Sequence, residues 1–295
     1  MYTFDVAFLR DPTSTTAAHE DDVTGYSAVQ QGGALFLLNM GVSVNCRGEQ
    51  PAPTCTGKPD GPTPTVTPTA DAKVREAVAA AVNPEVINQR AYSDKAQSGS
   101  ALLQESFRWY PGVEGPEYNL DNAKKLVSEA KAEGWSGQVR IIYTNAPTAQ
   151  AVGLATQTML QAAGIDVALD TTKDTTGHIG TITVQKDFDI SGWGLAISSD
   201  DGAMPALAQN LSSTSASNRV GYKNATVDQA LKDLRAASTD DDKKAAFKTI
   251  AEEVAKDLPL LPFAAIEELI VWQEDVHGLV FNHSTSVHLD KAWIG

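Results

Sequence analysis

An α/β fold is predicted from three observations. Residues 138–171 read strand, helix, strand: QVRIIYT (138–144) alternates, Val152, Ala155, Met159, Leu160 and Ala163 stripe a helix that Gly164 ends, and IDVALDT (165–171) alternates again. A crossover of that length joins two parallel strands with the helix packed on the sheet. ALFLLN (34–39) and DFDISGW (187–193) are short apolar runs of strand length. Four further segments carry apolar residues at helical spacing.

The first of these helices is expected from Ala72 to Val82, because Val74, Ala77, Val78, Ala81 and Val82 fall on one face. Asn83-Pro84 interrupts it, since the residue before proline is pushed out of the α region, and a short helix is expected to restart at Glu85. Asp121 is expected to cap the second, with Ala123, Leu126, Val127 and Ala130 inward and Gly134 near its end. Thr226 is expected to cap a third, with Val227, Ala230, Leu231 and Leu234 inward. The fourth enters at Thr239-Asp240 and turns Phe247, Ile250 and Val254 inward. The tail, LPLLPFAAIEELIVW (258–272) and then VHGLVFN (276–282), reads as strands broken by prolines. Six of the 14 prolines fall within residues 49–68. Proline fixes φ and removes a donor, so the stretch is expected to be an extended surface insertion without regular structure, spanning about 45–69.

With 295 residues, 42% hydrophobic and 20% charged, the chain has the composition of a soluble globular protein large enough for a sizeable core. A net charge of -14 opposes nucleic-acid binding, which needs concentrated Lys and Arg. No stretch reaches the roughly 20 apolar residues that cross a bilayer. The opening YTFDVAFLR lacks the basic and long apolar regions of a signal peptide. The two cysteines, Cys46 and Cys55, flank RGEQPAPT. Such spacing in a flexible loop suits a local disulfide in an oxidising compartment, and two free thiols are the alternative. By chain-entropy reasoning a loop this small would contribute about 2.5–3 kcal/mol if unstrained.

Seven features in order carry a resemblance. They are a strand ending in Asn39, a VRxAxxxAxN helix from Val74 to Asn83, and the Asp121–Ala130 helix. Next come Gly164-Ile165 at the turn of the β-α-β unit, DFDISGW from Asp187 to Trp193, GYxNxxVDxxL from Gly221 to Leu231, and the apolar strand at Pro259–Pro262. Each is weak alone; together they cover nearly all of the chain from residue 34, and the chain resembles the extracellular solute-binding proteins of ABC importers, family 5, the peptide and nickel group. The resemblance implies a periplasmic-binding-protein-like lobe of type II, peptide-binding class, with a mixed sheet flanked by helices, plus strands belonging to the other lobe. Residues 35–259 would be lobe two, and 1–34 and 260–295 would belong to lobe one and the hinge. The chain would then be an excised portion of a receptor whose remaining part completes lobe one. A piece holding one face of a cleft is expected to bind solute weakly, because a pocket normally encloses most of its ligand. The resemblance further implies a monomer that binds a peptide or other small solute and delivers it to ABC permease subunits. No cofactor would be needed, ATP being hydrolysed elsewhere in the transporter. The location would be extracellular or periplasmic, with a lipid anchor in the full-length protein.

Trp193 and the loop behind it, Gly194, Leu195, Ala196, Ser199 and Asp200, are the leading ligand-contact candidates, since in relatives this loop lines the cleft at the hinge. An indole supplies apolar area and one donor; the alternative is a core aromatic ending a buried strand. Tyr143 and Asn145 sit at the carboxyl end of a parallel strand, where α/β ligand crevices form, or are ordinary surface residues. Two departures from the family pattern matter. Peptide-binding relatives hold the ligand's amino terminus with an Asp three residues beyond the Trp, where this chain has Ala196. Dipeptide binders use an Arg after the strand that here ends in Tyr143-Thr144-Asn145, and no Arg stands there. A lost charge-assisted bond of this kind costs on the order of 1.5–3 kcal/mol. The ligand is therefore expected to differ from a short zwitterionic peptide held in the dipeptide manner, leaving a longer peptide or a less charged solute such as a sugar.

His283, His288 and Asp290 are spaced loosely for a metal site and read better as exposed tail residues. Asp187 and Asp189 share one strand face, a pattern more often structural than catalytic. No nucleophile elbow, zinc-protease helix or phosphate-cradling glycine loop occurs, so the chain is not expected to be an enzyme. A secreted α/β hydrolase or a surface interaction module are the rival classes.

Overall fold

A computed structural model describes residues 6–9, 24–195, 197, 200–281 and 287–295. Its centre is a mixed sheet. The strands are β1 (Val6–Leu9), β2 (Thr24–Leu38), β3 (Ser43–Cys46), β4 (Gly61–Pro64), β5 (Gln97–Ser98), β6 (Gln138–Thr144), β7 (Asp166–Lys173), β8 (Ile190–Gly194) and β9 (Leu260–Trp272). The order across the sheet is β1-β9-β2-β8-β6-β7, with β5 also paired to β9 and β3-β4 forming a separate pair. β6 runs parallel to both β7 and β8, and the other pairings are antiparallel. The helices are α1 (Ala72–Ala81), α2 (Pro84–Tyr92), α3 (Leu120–Ala132), α4 (Pro147–Ala162), α5 (Thr175–Gly180), α6 (Ala203–Leu211), α7 (Ala225–Ala236) and α8 (Asp240–Asp257).

Side-chain alternation sorts the interior into two cores, one on each face. In β2, Phe36 and Leu38 join α1–α4 on one side, while Leu35 and Leu37 join α6–α8 on the other. That is why 34–38 is apolar without a break: both faces are covered. The segment 102–109 closes the second core, where Trp109 stacks on Phe247 at 5.8 Å and Phe107 meets the same ring edge-on at 4.9 Å.

The predicted β-α-β unit is present: β6 and β7 pair in parallel from Gln138↔Asp166, with α4 between them in sequence. The predicted break at Asn83-Pro84 is also present, with Asn83 capping α2 by accepting from the Glu85 amide at 3.0 Å.

Four expectations are corrected. Asn119, not Asp121, caps α3, its Oδ1 accepting from the Asn122 amide at 2.9 Å, and Asp121 lies in the first turn. Asn224, not Thr226, caps α7, accepting from the Thr226 and Val227 amides at 2.8 and 3.1 Å. In both cases an Asn stands two residues upstream of the residue chosen, and either side chain can cap. The tail 258–272 is not broken by proline: β9 runs through Pro262, which opposes Leu35 where the register shifts between Ala34 and Leu35. A bulge there absorbs the missing donor. The proline-rich insertion does contain regular structure, since β4 (GPTP) pairs with β3. Thr65 donates to the Val42 carbonyl at 3.0 Å. Alternation from that bond puts Pro62 and Pro64 at positions that donate nothing to β3. Cys46 and Cys55 are joined in a disulfide with Cα atoms 5.5 Å apart, and both are fully buried beside Val44.

The sheet narrows at one level. In β2, Gly32 and Gly33 have φ of +81° and +56°, and the register with β9 shifts between Gln30 and Ala34. Among the described residues of this sheet, β1, β9 and β2 alone continue on one side of this bulge; β5 pairs with β9 at its level, and β8, β6, β7 and the described helices lie on the other. Leu260, Leu261, Phe263 and Ala264 pack into the same two cores as the helices, although they follow residue 259.

Candidate functional site

β6 and β8 are parallel neighbours, so their carboxyl ends emerge together, and the pairing of Ile142 with Ser191 sets Tyr143 level with Gly192. Gly192 is required there: a Cβ at that position would overlap the Tyr143 ring. The Tyr143 ring meets Phe36 edge-on at 6.5 Å, and burial pushes its phenol far above the usual tyrosine range.

α5 supplies a residue that sequence reasoning set aside. His178 is buried, its Nε2 lying 3.0 Å from Ser191 Oγ. Its ring stacks on Tyr143 at 6.2 Å and 11° and faces Trp193 at 6.3 Å. Burial holds its pKa below the ordinary histidine value, against a smaller upward pull from a hydrogen bond with the Ile142 backbone. The folded protein therefore keeps this imidazole neutral while the unfolded chain protonates it, so the unfolded state binds more protons below about pH 6.5. Stability is expected to be complete above the ordinary histidine pKa and to fall as the pH drops below it. Urea midpoints at about pH 7.5 and about pH 5.5 should differ more in the wild type than in His178→Gln. Equal differences in the two would contradict the assignment.

Trp193 is half-buried at the rim of the second core and carries a cation on its face: Arg219 Cζ lies 4.7 Å from the ring centroid. Arg219 Nη1 donates to Asn210 Oδ1 at 3.1 Å, in α6, and to the Ser217 carbonyl at 3.0 Å. Its Nε is buried with no hydrogen-bond partner among the described residues. Burial lowers its pKa, as it does for the nearby half-buried Lys186, which Arg219's charge lowers further. Neither residue takes part in an ion pair among the described residues.

The remaining sequence candidates fall out as follows. Gly194 is exposed, and its neighbour Leu195 has its side chain in the second core and its amide on the Gly33 carbonyl at 2.9 Å, next to the bulge. Asp200 is half-buried and its carbonyl accepts from Ala203 at 3.1 Å, where α6 begins. Asn145 is exposed, with its amide on the Lys173 carbonyl at 2.8 Å. Ala196 and Ser199 lie outside the described residues, as does His283. Asp187 and Asp189 are tied to Arg140: Asp187 Oδ1 accepts from its Nη1 at 2.7 Å, and Asp189 Oδ2 from its amide at 2.7 Å. They are structural. His288 and Asp290 are exposed, and no group of three metal-ligating side chains occurs among the described residues. No described helix is long and apolar enough to cross a membrane.

Tyr143, His178, Trp193 and Arg219 thus form an aromatic shelf with one cationic edge beside a glycine bulge. Burial disfavours the charged imidazole, and no carboxylate among the described residues hydrogen-bonds to it, so the arrangement suits apolar stacking and polar recognition. Neither His178 nor Arg219 carried a sequence signal, because only folding brings them to the indole.

The profile of "Bacterial extracellular solute-binding proteins, family 5 Middle" matches residues 4–218, well over half of the chain. A search of curated proteins finds no significant match. Among solved structures, the oligopeptide-binding protein AppA from Bacillus subtilis, in complex with a nonapeptide, is similar at a TM-score of 0.68 and 19% identity, over 98% of this chain and 56% of that one. A dipeptide-binding protein from Pseudoalteromonas sp. SM9913, in complex with Met-Leu, gives 0.69 and 18%, over 97% and 53%. NikA from Brucella suis, in complex with Fe(III)-EDTA, gives 0.67 and 15%, over 99% and 57%. The chain spans about half the length of each of these proteins. At these identities the likeness is one of fold.

Proposed function

The chain belongs to the family 5 bacterial extracellular solute-binding proteins, a family of binding proteins, and from that premise we propose that it is the ligand-gripping portion of an ABC-importer receptor. It binds a peptide or other small solute on the shelf formed by Tyr143 and Trp193, and the receptor delivers that solute to permease subunits. The observation that carries this reading is the coincidence of two features at one level of the sheet. The aromatic shelf closes the carboxyl ends of β6 and β8, and immediately beside it, at the Gly32-Gly33 bulge, three strands continue among the described residues. A glycine bulge in a narrow ribbon is where a hinge can absorb φ/ψ change.

We place the lobe boundary there, in β2 at Gly32-Gly33 and in β9 next to Ala264-Ala265, with 35–259 as the body of lobe two. Ligand bridging both sides favours the closed form, and permease subunits read that form. The receptor acts as a monomer outside the cytoplasmic membrane, held by a lipid anchor, and catalyses no reaction. Trp193, Gly194, Leu195, Ala196, Ser199, Asp200, Tyr143 and Asn145 are the proposed ligand-contacting segment.

Native mass spectrometry tests the reading. After incubation with a tryptic peptide digest and a panel of oligosaccharides, the chain is expected to retain at least one unmodified solute. Trp193→Ala should cut retention roughly tenfold or more, the scale of losing a central aromatic contact. Adducts indifferent to Trp193→Ala, or chemically altered solute, would contradict it.

A further inference from the structure

Acidic residues outnumber basic ones in this chain, 37 to 23. Other described cations accordingly find an acid or a set of carbonyls: half-buried Lys73 has Glu129 and Glu133, half-buried Lys173 has Asp170, exposed Arg140 has Asp187 and Asp189, and buried Arg75 has three carbonyl bonds. Arg219 and Lys186 break this pattern together. Lys186 lines one cavity with Asn218, the residue before Arg219, and neither cation has a carboxylate within ion-pair distance among the described residues. Two like charges half-buried side by side repel, and removing each from water adds to the cost.

The guanidinium narrows what would relieve this. Its Nη1 is engaged by Asn210 and Ser217, while Nε, buried, bonds to nothing. The edge left over is the one formed by Nε and Nη2, the fork that accepts two oxygens of a carboxylate or phosphate at once. The guanidinium carbon lies over the Trp193 ring, 4.7 Å from its centroid, so the indole covers one side of the cation. An unpartnered buried donor, a second unpaired cation and an unused fork are the complement of one oxyanion.

We propose that Arg219, stacked on Trp193 and reinforced by Lys186, receives an oxyanion group, carboxylate or phosphate, of the bound solute. The inference rests on the receptor reading above and adds the chemical class of the solute. Of the two ligands left open by Ala196 and by the missing Arg after Tyr143, a longer peptide or a less charged solute, it favours one that carries an oxyanion. Here a cation arrives from a distant part of the sequence and reaches the neighbouring strand end.

The Arg219 side-chain Nε–H resonance, assigned by its loss in Arg219→Lys, reports on the site without knowledge of the solute. Titrations with sodium acetate and with sodium phosphate are compared with sodium chloride at matched ionic strength. A saturable shift with acetate or with phosphate is expected, and whichever saturates at lower concentration identifies the oxyanion. Lys186→Gln should weaken that response about threefold or more while leaving the thermal midpoint near that of wild type. A response no different from that to chloride overturns the proposal, as does a response to either oxyanion that is unchanged in Lys186→Gln. Failure here with Trp193-dependent solute adducts intact would leave the receptor reading standing. Saturable oxyanion binding without any such adducts would separate the site from solute transport and overturn the assignment to the solute.

Discussion

Gly33→Ala is expected to destabilise the protein by on the order of 2–5 kcal/mol, the sum of a left-handed backbone penalty and an overpacking penalty. Gly33 has φ of +56°, where an L side chain is strained whatever the surrounding space. Space is absent as well: the new Cβ would overlap the Ala264 carbonyl oxygen, and the Ala265 Cα would stand 2.9 Å away. Those atoms are backbone of the central strand β9 and cannot rotate aside. Gly48→Ala is the control, since its φ is +54° but nothing lies within 4 Å of the added methyl. It should cost only the backbone part, roughly 1–2 kcal/mol. Urea denaturation of the two variants separates the terms. Equal losses would show that the β2–β9 approach at the bulge is looser than described here.

Arg75→Met should cost on the order of 3–5 kcal/mol, because it strands several buried acceptors at once. Arg75 is 5% exposed on α1, and its Nε donates to the Asp257 carbonyl at 2.8 Å while Nη1 donates to the Thr69 and Ala70 carbonyls, both at 2.9 Å. The first of these is at the C-terminal end of α8, where carbonyls lack helical partners and the helix dipole favours a cation. The same junction is held from the other side: the Asp257 carboxylate accepts from Tyr222 Oη at 2.8 Å and from Asn224 Nδ2 at 2.7 Å. Arg75 thus ties α1, in the first core, to α8, in the second, around the edge of the sheet. Methionine keeps the volume and offers no donor. Arg75→Lys retains the charge but not the fork, and should recover only part of the loss. A cost below about 1 kcal/mol for Arg75→Met, read from urea midpoints at constant slope, would show that water satisfies these carbonyls.

Legibility from sequence followed the range of the interaction. The β-α-β unit at 138–171, the break at Asn83-Pro84 and the start of α8 at Thr239 were readable because each depends on neighbours within about one turn or one strand repeat. The misplaced caps at Asp121 and Thr226 failed at the same short range, where two residues two positions apart could both cap and the difference was a matter of register. Pro262 was misread for a different reason. A proline in an apolar run signals a break unless its own strand bulges beside it, as β9 does at Phe263, and the partner that defines that bulge, Leu35, is remote in sequence.

The candidate site divides the same way. Tyr143 was singled out because strand ends in a parallel unit lie at one edge, a rule that the order of elements carries, and Trp193 because of the motif that ends its strand. His178 and Arg219 were not found, because each reaches the indole from a separate loop or helix and no spacing records it. The sequence by itself determined the fold class, the order of elements and the family, since these rest on periodicity and on motifs read in order. Only the tertiary structure decided which cation meets the indole and where, among the described residues, the sheet narrows to three strands. Such adjacency arises when segments far apart in the chain are folded against one another, and pairwise distance in space leaves no periodic trace in the order of residues.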